Sequence, residues 1–170
     1  MTTYYGTEAG GLIYATERGR LPEWSEVEDP EAALLVASEY IDANYGLLFG
    51  GWKTGGRAQD RQWPRVNAYV NDGSLNWPLL PSDVVPDEVE RATYELAMRV
   101  GNGTVLTVDF NAAGSFKKAA VEGAVSVEFW GSGTAADAQT VFPIVTAILS
   151  PLFTGAGAGF SSLSGSRERV

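Results

Sequence analysis

The run Trp52-Lys53-Thr54-Gly55-Gly56-Arg57-Ala58-Gln59-Asp60-Arg61-Gln62-Trp63-Pro64-Arg65 puts two of the chain's five tryptophans and four of its twelve cations into fourteen residues. Two chemistries use such a mixture. Aromatic rings stack on bases while Lys and Arg track phosphates, so Trp52, Trp63 and the later Trp77, with Lys53, Arg57, Arg61 and Arg65, describe a single-stranded nucleic-acid-binding module. The same residues suit a protein contact: Trp63-Pro64 makes a rigid corner that anchors the fold, and the four cations face a neighbouring subunit. Lys53, Arg57, Arg61 and Arg65 recur every fourth residue, so they share one face wherever the stretch is helical, and Gly55-Gly56 and Pro64 limit how much of it can be. A tryptophan-anchored loop with a solvated charge face is the plainest alternative.

Other chemistry is thinly represented. Zero cysteines exclude disulfides and thiolate metal sites, and zero histidines remove the commonest metal ligand and the commonest acid/base group. Gly50-Gly51-Trp52-Lys53-Thr54 departs from a phosphate-binding loop because tryptophan, not glycine, precedes the lysine. Asp42, Asp60, Asp72 and Asp83 have neither calcium-loop nor paired-ligand spacing. Carboxylates alone could serve a glycosidase, but no motif points there. The expectation is a non-enzyme with no cofactor and no metal. A net charge of −9 opposes tight wrapping of duplex DNA and suits a surface past which DNA slides. No apolar run approaches the ~18 residues of a membrane span, and the N-terminus has no basic region or apolar signal core, so a soluble, unsecreted chain is expected.

At 170 residues with 45 % apolar content, the chain has the size and composition of one domain with a real core. Thr7 can cap a helix over about 8–18, with Leu12, Ala15 and Tyr14 inward, a Gly10-Gly11 pair weakening it and Gly19 ending it. Asp29-Pro30 opens a second helix over 30–45, with Leu34, Ala37, Ile41 and Tyr45 at helical spacing. A short helix is predicted at 56–62, ended by Trp63-Pro64. Residues 66–84 carry turn chemistry. Pro86 opens the strongest helix, 86–100, with Asp87, Glu88 and Glu90 early, Arg99 late, and Val89, Ala92, Thr93, Leu96 and Val100 as its stripe; Gly101-Asn102-Gly103 stops it. Its Gly-x-Gly is no phosphate turn, since no strand precedes it. The period then falls to two, predicting strands at about 104–110 and 116–129. A last helix over 141–153 tolerates Pro143 in its first turn and presents Val141, Ile144, Val145, Ile148, Leu149 and Leu152. The fold class is mainly α, a small helical bundle with a β-hairpin or short sheet inserted before the last helix. Residues 154–170, low in complexity, read as a flexible C-terminal arm beyond the 1–153 domain, with Phe160 and Leu163 as anchors and Arg167 and Arg169 for charge-assisted contacts.

Five features occur in a fixed order: Tyr40-Ile41-Asp42 on an amphipathic helix; Gln59, Trp63, Pro64 and Arg65; Pro86-Asp87-Glu88-Val89-Glu90-Arg91-Ala92; the alternating stretch from Lys117 to Phe129; and a final apolar segment. Together, over about residues 4–153, they resemble the head-tail adaptor (connector) proteins of tailed bacteriophages, including the group often labelled DnaT-like single-stranded-DNA-binding. The resemblance implies a structural protein of the virion neck, made in the host cytoplasm and assembled as a ring, usually of twelve copies. Its partners would be the portal protein, the neighbouring adaptor subunits and the next neck or tail protein. DNA would pass through its channel without sequence-specific binding. On this reading Phe160, Leu163, Arg167 and Arg169 form a portal-binding arm, and Lys53, Arg57, Arg61 and Arg65 a subunit interface.

Overall fold

The computed structural model describes residues 4–73, 77–106, 118–119, 127–128 and 142–154. Its first helix, α1 (Glu8–Glu17), begins where Thr7 Oγ1 accepts the Gly10 N–H at 3.0 Å. It ends in a left-handed Gly19, with Gly19 N–H on Thr16 O and Arg20 N–H on Ala15 O. The inward stripe is Gly11, Tyr14 and Ala15, whereas Leu12 is exposed, contrary to expectation. The reason is Gly11. A Cβ there would lie 2.1 Å from the Trp24 ring, so the glycine is the face that lets the helix approach Trp24. Trp24 belongs to α2 (Leu21–Ser25), a five-residue helix that periodicity did not predict.

The central pair is α3 (Pro30–Tyr45) on α4 (Asp87–Gly101). Asp29 Oδ1 accepts the Ala32 N–H at 3.0 Å and Pro30 occupies the first turn, as read from the sequence. Leu34, Ala37 and Ile41 of α3 and Val89, Ala92 and Leu96 of α4 are buried in the core that these two packed helices share. α4 buries every residue from Ala92 to Met98, because α1, α2, α3 and α5 (Pro143–Leu149) all pack on it. α5 continues as a 3-10 turn, Ser150–Leu152, so the helix predicted over 141–153 is shorter. Val145, Leu149 and Leu152 are buried and Ile144 is exposed; Val141 lies outside the described residues. Tyr45 stacks on Phe153 with centroids 5.9 Å apart, and its hydroxyl meets Thr146 Oγ1 at 2.9 Å. These contacts tie the last segment to the end of α3.

Between α3 and α4 the chain makes a two-stranded ladder of β1 (Trp52–Lys53) and β2 (Arg65–Val66), with Trp52 opposite Val66 and Lys53 opposite Arg65. The helix predicted over 56–62 is only a 3-10 turn, Gly56–Ala58. Gln59 follows in an extended conformation, φ −84 and ψ 122, and ends it. The stretch read as a connecting loop, 66–84, folds back on itself through an isolated bridge between Tyr69 and Leu79.

A second two-stranded antiparallel sheet precedes α5. β3 (Lys118–Ala119) pairs with β4 (Val127–Glu128), with Lys118 opposite Glu128. The segment predicted as one strand over 116–129 therefore pairs with itself. Residues 104–106 are not a strand, and the rest of the strand predicted at 104–110 lies outside the described residues. The architecture is mainly helical with a small antiparallel sheet before the last helix, as the sequence pattern implies.

Candidate functional site

The loop between α3 and β2 folds around three buried side chains. Trp63 is 2 % exposed and packs edge-on against Phe49, ring centroids 5.4 Å apart. Its peptide bond to Pro64 is cis. Gln59 pins the loop from inside: its Nε2 donates to Arg61 O at 2.9 Å and Pro64 O at 3.0 Å, while Oε1 accepts the Gly55 N–H at 2.9 Å. Arg65 spends its guanidinium on oxygens of the same turn. Nε donates to Gly50 O and Nη2 to Gly51 O, both at 2.7 Å, and longer bonds reach Phe49 O and both Gln62 oxygens. Burial pulls the Arg65 guanidinium below its usual value, opposed by the charges of Tyr5 and Asp42. It remains a cation held by carbonyl dipoles.

Asp42 on α3 connects this loop to the N-terminal segment. Its Oδ1 accepts the Tyr5 hydroxyl at 2.5 Å, and its Oδ2 lies 3.4 Å from Arg61 Nη1. Burial pushes the Asp42 carboxyl up despite the Tyr5 and Gln62 hydrogen bonds and the Arg61 charge. Burial, followed by the charge of Asp42, likewise raises the Tyr5 hydroxyl. That hydroxyl also accepts the Trp63 backbone N–H at 3.1 Å. Neither Tyr5 nor this use of Asp42 was legible beforehand, since no local pattern links residues so far apart in the chain.

The cation row is thus divided. Lys53 and Arg65 face each other across β1 and β2, not along a helix, and Lys53 Nζ donates to Gln59 O at 2.5 Å. Arg61 is half-buried beside Asp42 and, at 3.8 Å, Glu39. Arg57 is exposed on the 3-10 turn. Of the three tryptophans that could stack bases, Trp63 is inside, while Trp52 at 59 % and Trp77 at 46 % are outside. Trp63, Arg61, Asp60, Gln59 and Thr54 line a pocket of about 280 Å³, and Trp63 Nε1 finds no acceptor among the described residues. Phe160, Leu163, Arg167 and Arg169 lie outside the described residues.

One family model, described as Putative DnaT-like ssDNA binding protein, matches residues 4–167, nearly the whole chain and every element above. The chain belongs to this family. No curated protein and no solved structure matches it. The family match takes in the latch of Tyr5, Asp42, Gln59, Trp63 and Arg65.

A second polar cluster joins α1, α2 and α4, and no motif announced it. Glu95, almost fully buried on α4, accepts Arg20 Nη1 at 2.7 Å, Arg99 Nη1 at 2.9 Å and the Tyr14 hydroxyl at 3.0 Å. Burial pushes the Glu95 carboxyl up, but these hydrogen bonds and the Arg20 charge outweigh it and hold the carboxyl below its ordinary value. Burial, then Glu95, raises the Tyr14 hydroxyl to about 12. Each partner is neutralised within the fold, so the cluster is a bolt between helices.

Proposed function

We propose that this chain is a structural head-tail adaptor of a tailed bacteriophage, a ring subunit of the virion neck that sits beneath the portal protein and docks the next neck or tail protein. The observation that carries this reading is the inward commitment of the aromatic-basic segment. A strand-gripping groove needs its cations free for phosphates. Here Arg65 is spent on loop carbonyls, Lys53 on Gln59 O and Trp63 on the core, in a chain of net charge −9. Such a body suits a channel wall that DNA passes without being held, and needs no catalytic residue or cofactor. The ordered motifs from Tyr40 to the last apolar segment support it too.

The second reading is single-stranded nucleic-acid binding, favoured by the family's description and by exposed Trp52, Trp77 and Arg57. One experiment separates the two. The purified chain is sized alone and with portal protein by light scattering and electron microscopy, and titrated with a fluorescent oligothymidine at low salt. Rings that attach to portal, without oligonucleotide binding, support the adaptor. Tight, salt-sensitive oligonucleotide binding by a chain that neither self-assembles nor attaches to portal overturns it.

A further inference from the structure

A groove beside α1 and α2 has no role in the latch or the bolt. It measures about 480 Å³, with the Trp24 ring, Leu12, Val27 and Pro30 on its walls and Glu8 at one side. Leu12 is 46 % exposed there, a large apolar side chain left to solvent beside the groove. The surrounding segment Leu21-Pro22-Glu23-Trp24-Ser25-Glu26-Val27-Glu28-Asp29-Pro30-Glu31 carries five acids and no cation. Glu23 is taken by Arg20, Asp29 caps α3 and Glu31 accepts from Tyr4. Glu26 and Glu28 are exposed and pair with no cation among the described residues.

The complementary shape lies at the other end of α3. Its sixteen residues rise about 24 Å, with Pro30 at the groove and Tyr45 leading to the β1 turn. That turn projects Trp52, more than half exposed, and Arg57, exposed on the 3-10 turn. Tryptophan and arginine are the residue types that most often dominate protein interfaces, and an exposed indole is well matched to an apolar groove of this size. Two different, oppositely charged faces at opposite ends of one helix suit head-to-tail association, which closes into a ring when the rotation permits.

We infer that Trp52 of one copy seats in the groove between α1 and α2 of the next, with Arg57 facing Glu26 and Glu28. This inference rests on the ring reading and names the two surfaces that build it. It also assigns Trp52 to protein and not to a base.

The test uses two variants of the full chain, one with the groove reversed (Glu26→Lys with Glu28→Lys) and one with the knob removed (Trp52→Ser with Arg57→Ser). All four positions are on the surface or solvent-facing, and each variant is first shown to melt as wild type does. Light scattering should find rings for wild type and loss of rings for either variant alone. An equimolar mixture of the two should give a one-to-one dimer, because one intact knob then meets one intact groove. Rings from wild type and from both variants overturn the docking and leave the ring reading standing. Folded variants that fail to dimerise when mixed also overturn it. A wild-type chain that forms no ring either alone or on portal protein overturns both readings. A knob variant that still forms rings but no longer binds oligothymidine returns Trp52 to the nucleic-acid reading.

Discussion

Tyr5 and Trp63, 58 positions apart in the chain, are joined directly: the Tyr5 hydroxyl accepts the Trp63 backbone N–H at 3.1 Å while donating to Asp42 Oδ1 at 2.5 Å. One oxygen therefore serves the N-terminal segment, α3 and the loop before β2. Tyr5→Phe keeps the ring and removes that oxygen, leaving a buried N–H and a half-satisfied carboxylate. The expected cost is about 1–3 kcal/mol, the range for orphaning a buried polar group. Urea denaturation should show a lower midpoint with an unchanged slope. A midpoint equal to wild type would mean that the hydroxyl bridges nothing of consequence.

Arg65→Lys is predicted to be unconservative. The guanidinium reaches several carbonyls of residues 49–51 and 62 in one plane, and an ammonium cannot reproduce that fork. A loss of about 2 kcal/mol is expected from the carbonyls left unmet. Thermal melts of Arg65→Lys and Arg65→Met should fall together, well below wild type. A Lys variant as stable as wild type would show that charge alone suffices.

The carboxylates of buried Glu95 and half-buried Asp42 should give opposite responses to pH. Glu95 is held below its ordinary value in the fold, so the unfolded chain binds more protons in the interval between the two values, and stability is lost as pH falls through the ordinary glutamate range. Asp42 is raised by burial, so the folded chain binds the extra proton, and its contribution falls as pH rises through the folded value. Glu95→Gln should cost about 3 kcal/mol at neutral pH, the low end for breaking a buried pair because Arg20 and Arg99 are partly solvated, and should flatten the acid limb. Asp42→Asn should steepen it. Chemical denaturation at stepped pH reads both slopes, and a Glu95→Gln variant as acid-sensitive as wild type would remove the bolt from the account.

What the sequence made legible was local. Thr7, Asp29-Pro30, Gly19 and the acids after Pro86 act within one turn of their own positions, so α1, α3 and α4 could be drawn from spacing alone. What it hid was long-range. The four-residue cation period suggested a helical face, yet the chain reverses between Lys53 and Arg65, and a ladder of two residues per strand carries no periodicity to detect. α2 is too short to show a stripe. Gly10-Gly11 read as a weakness because propensity is a property of the isolated helix; their value lies in Tyr94 and Trp24, far along the chain.

Gly11→Ala puts that last point to a signed test. In an exposed helix the change gains about 1 kcal/mol. Here the new methyl meets the Trp24 ring at 2.1 Å and overpacking costs roughly 1–3 kcal/mol, so net destabilisation is expected. A variant melting above wild type would mean that Trp24 yields easily and that the α1 to α2 contact is loose.

Trp63 and Trp52 lie eleven positions apart in one segment and should behave oppositely. Trp63 is inside, against Phe49 and under the Tyr5 bridge, so Trp63→Ala removes a large buried aromatic and should cost about 3 kcal/mol or more. Trp52 is mostly solvent-facing, and Trp52→Ala should stay within about 0.5 kcal/mol of wild type. Any loss of assembly or of oligonucleotide binding in Trp52→Ala then reports a contact, because the fold is intact; the same loss in Trp63→Ala reports unfolding. Melting temperatures measured beside each binding curve decide which has occurred. A Trp63→Ala chain that melts as wild type does but no longer binds oligothymidine would place a base on Trp63 and overturn the latch.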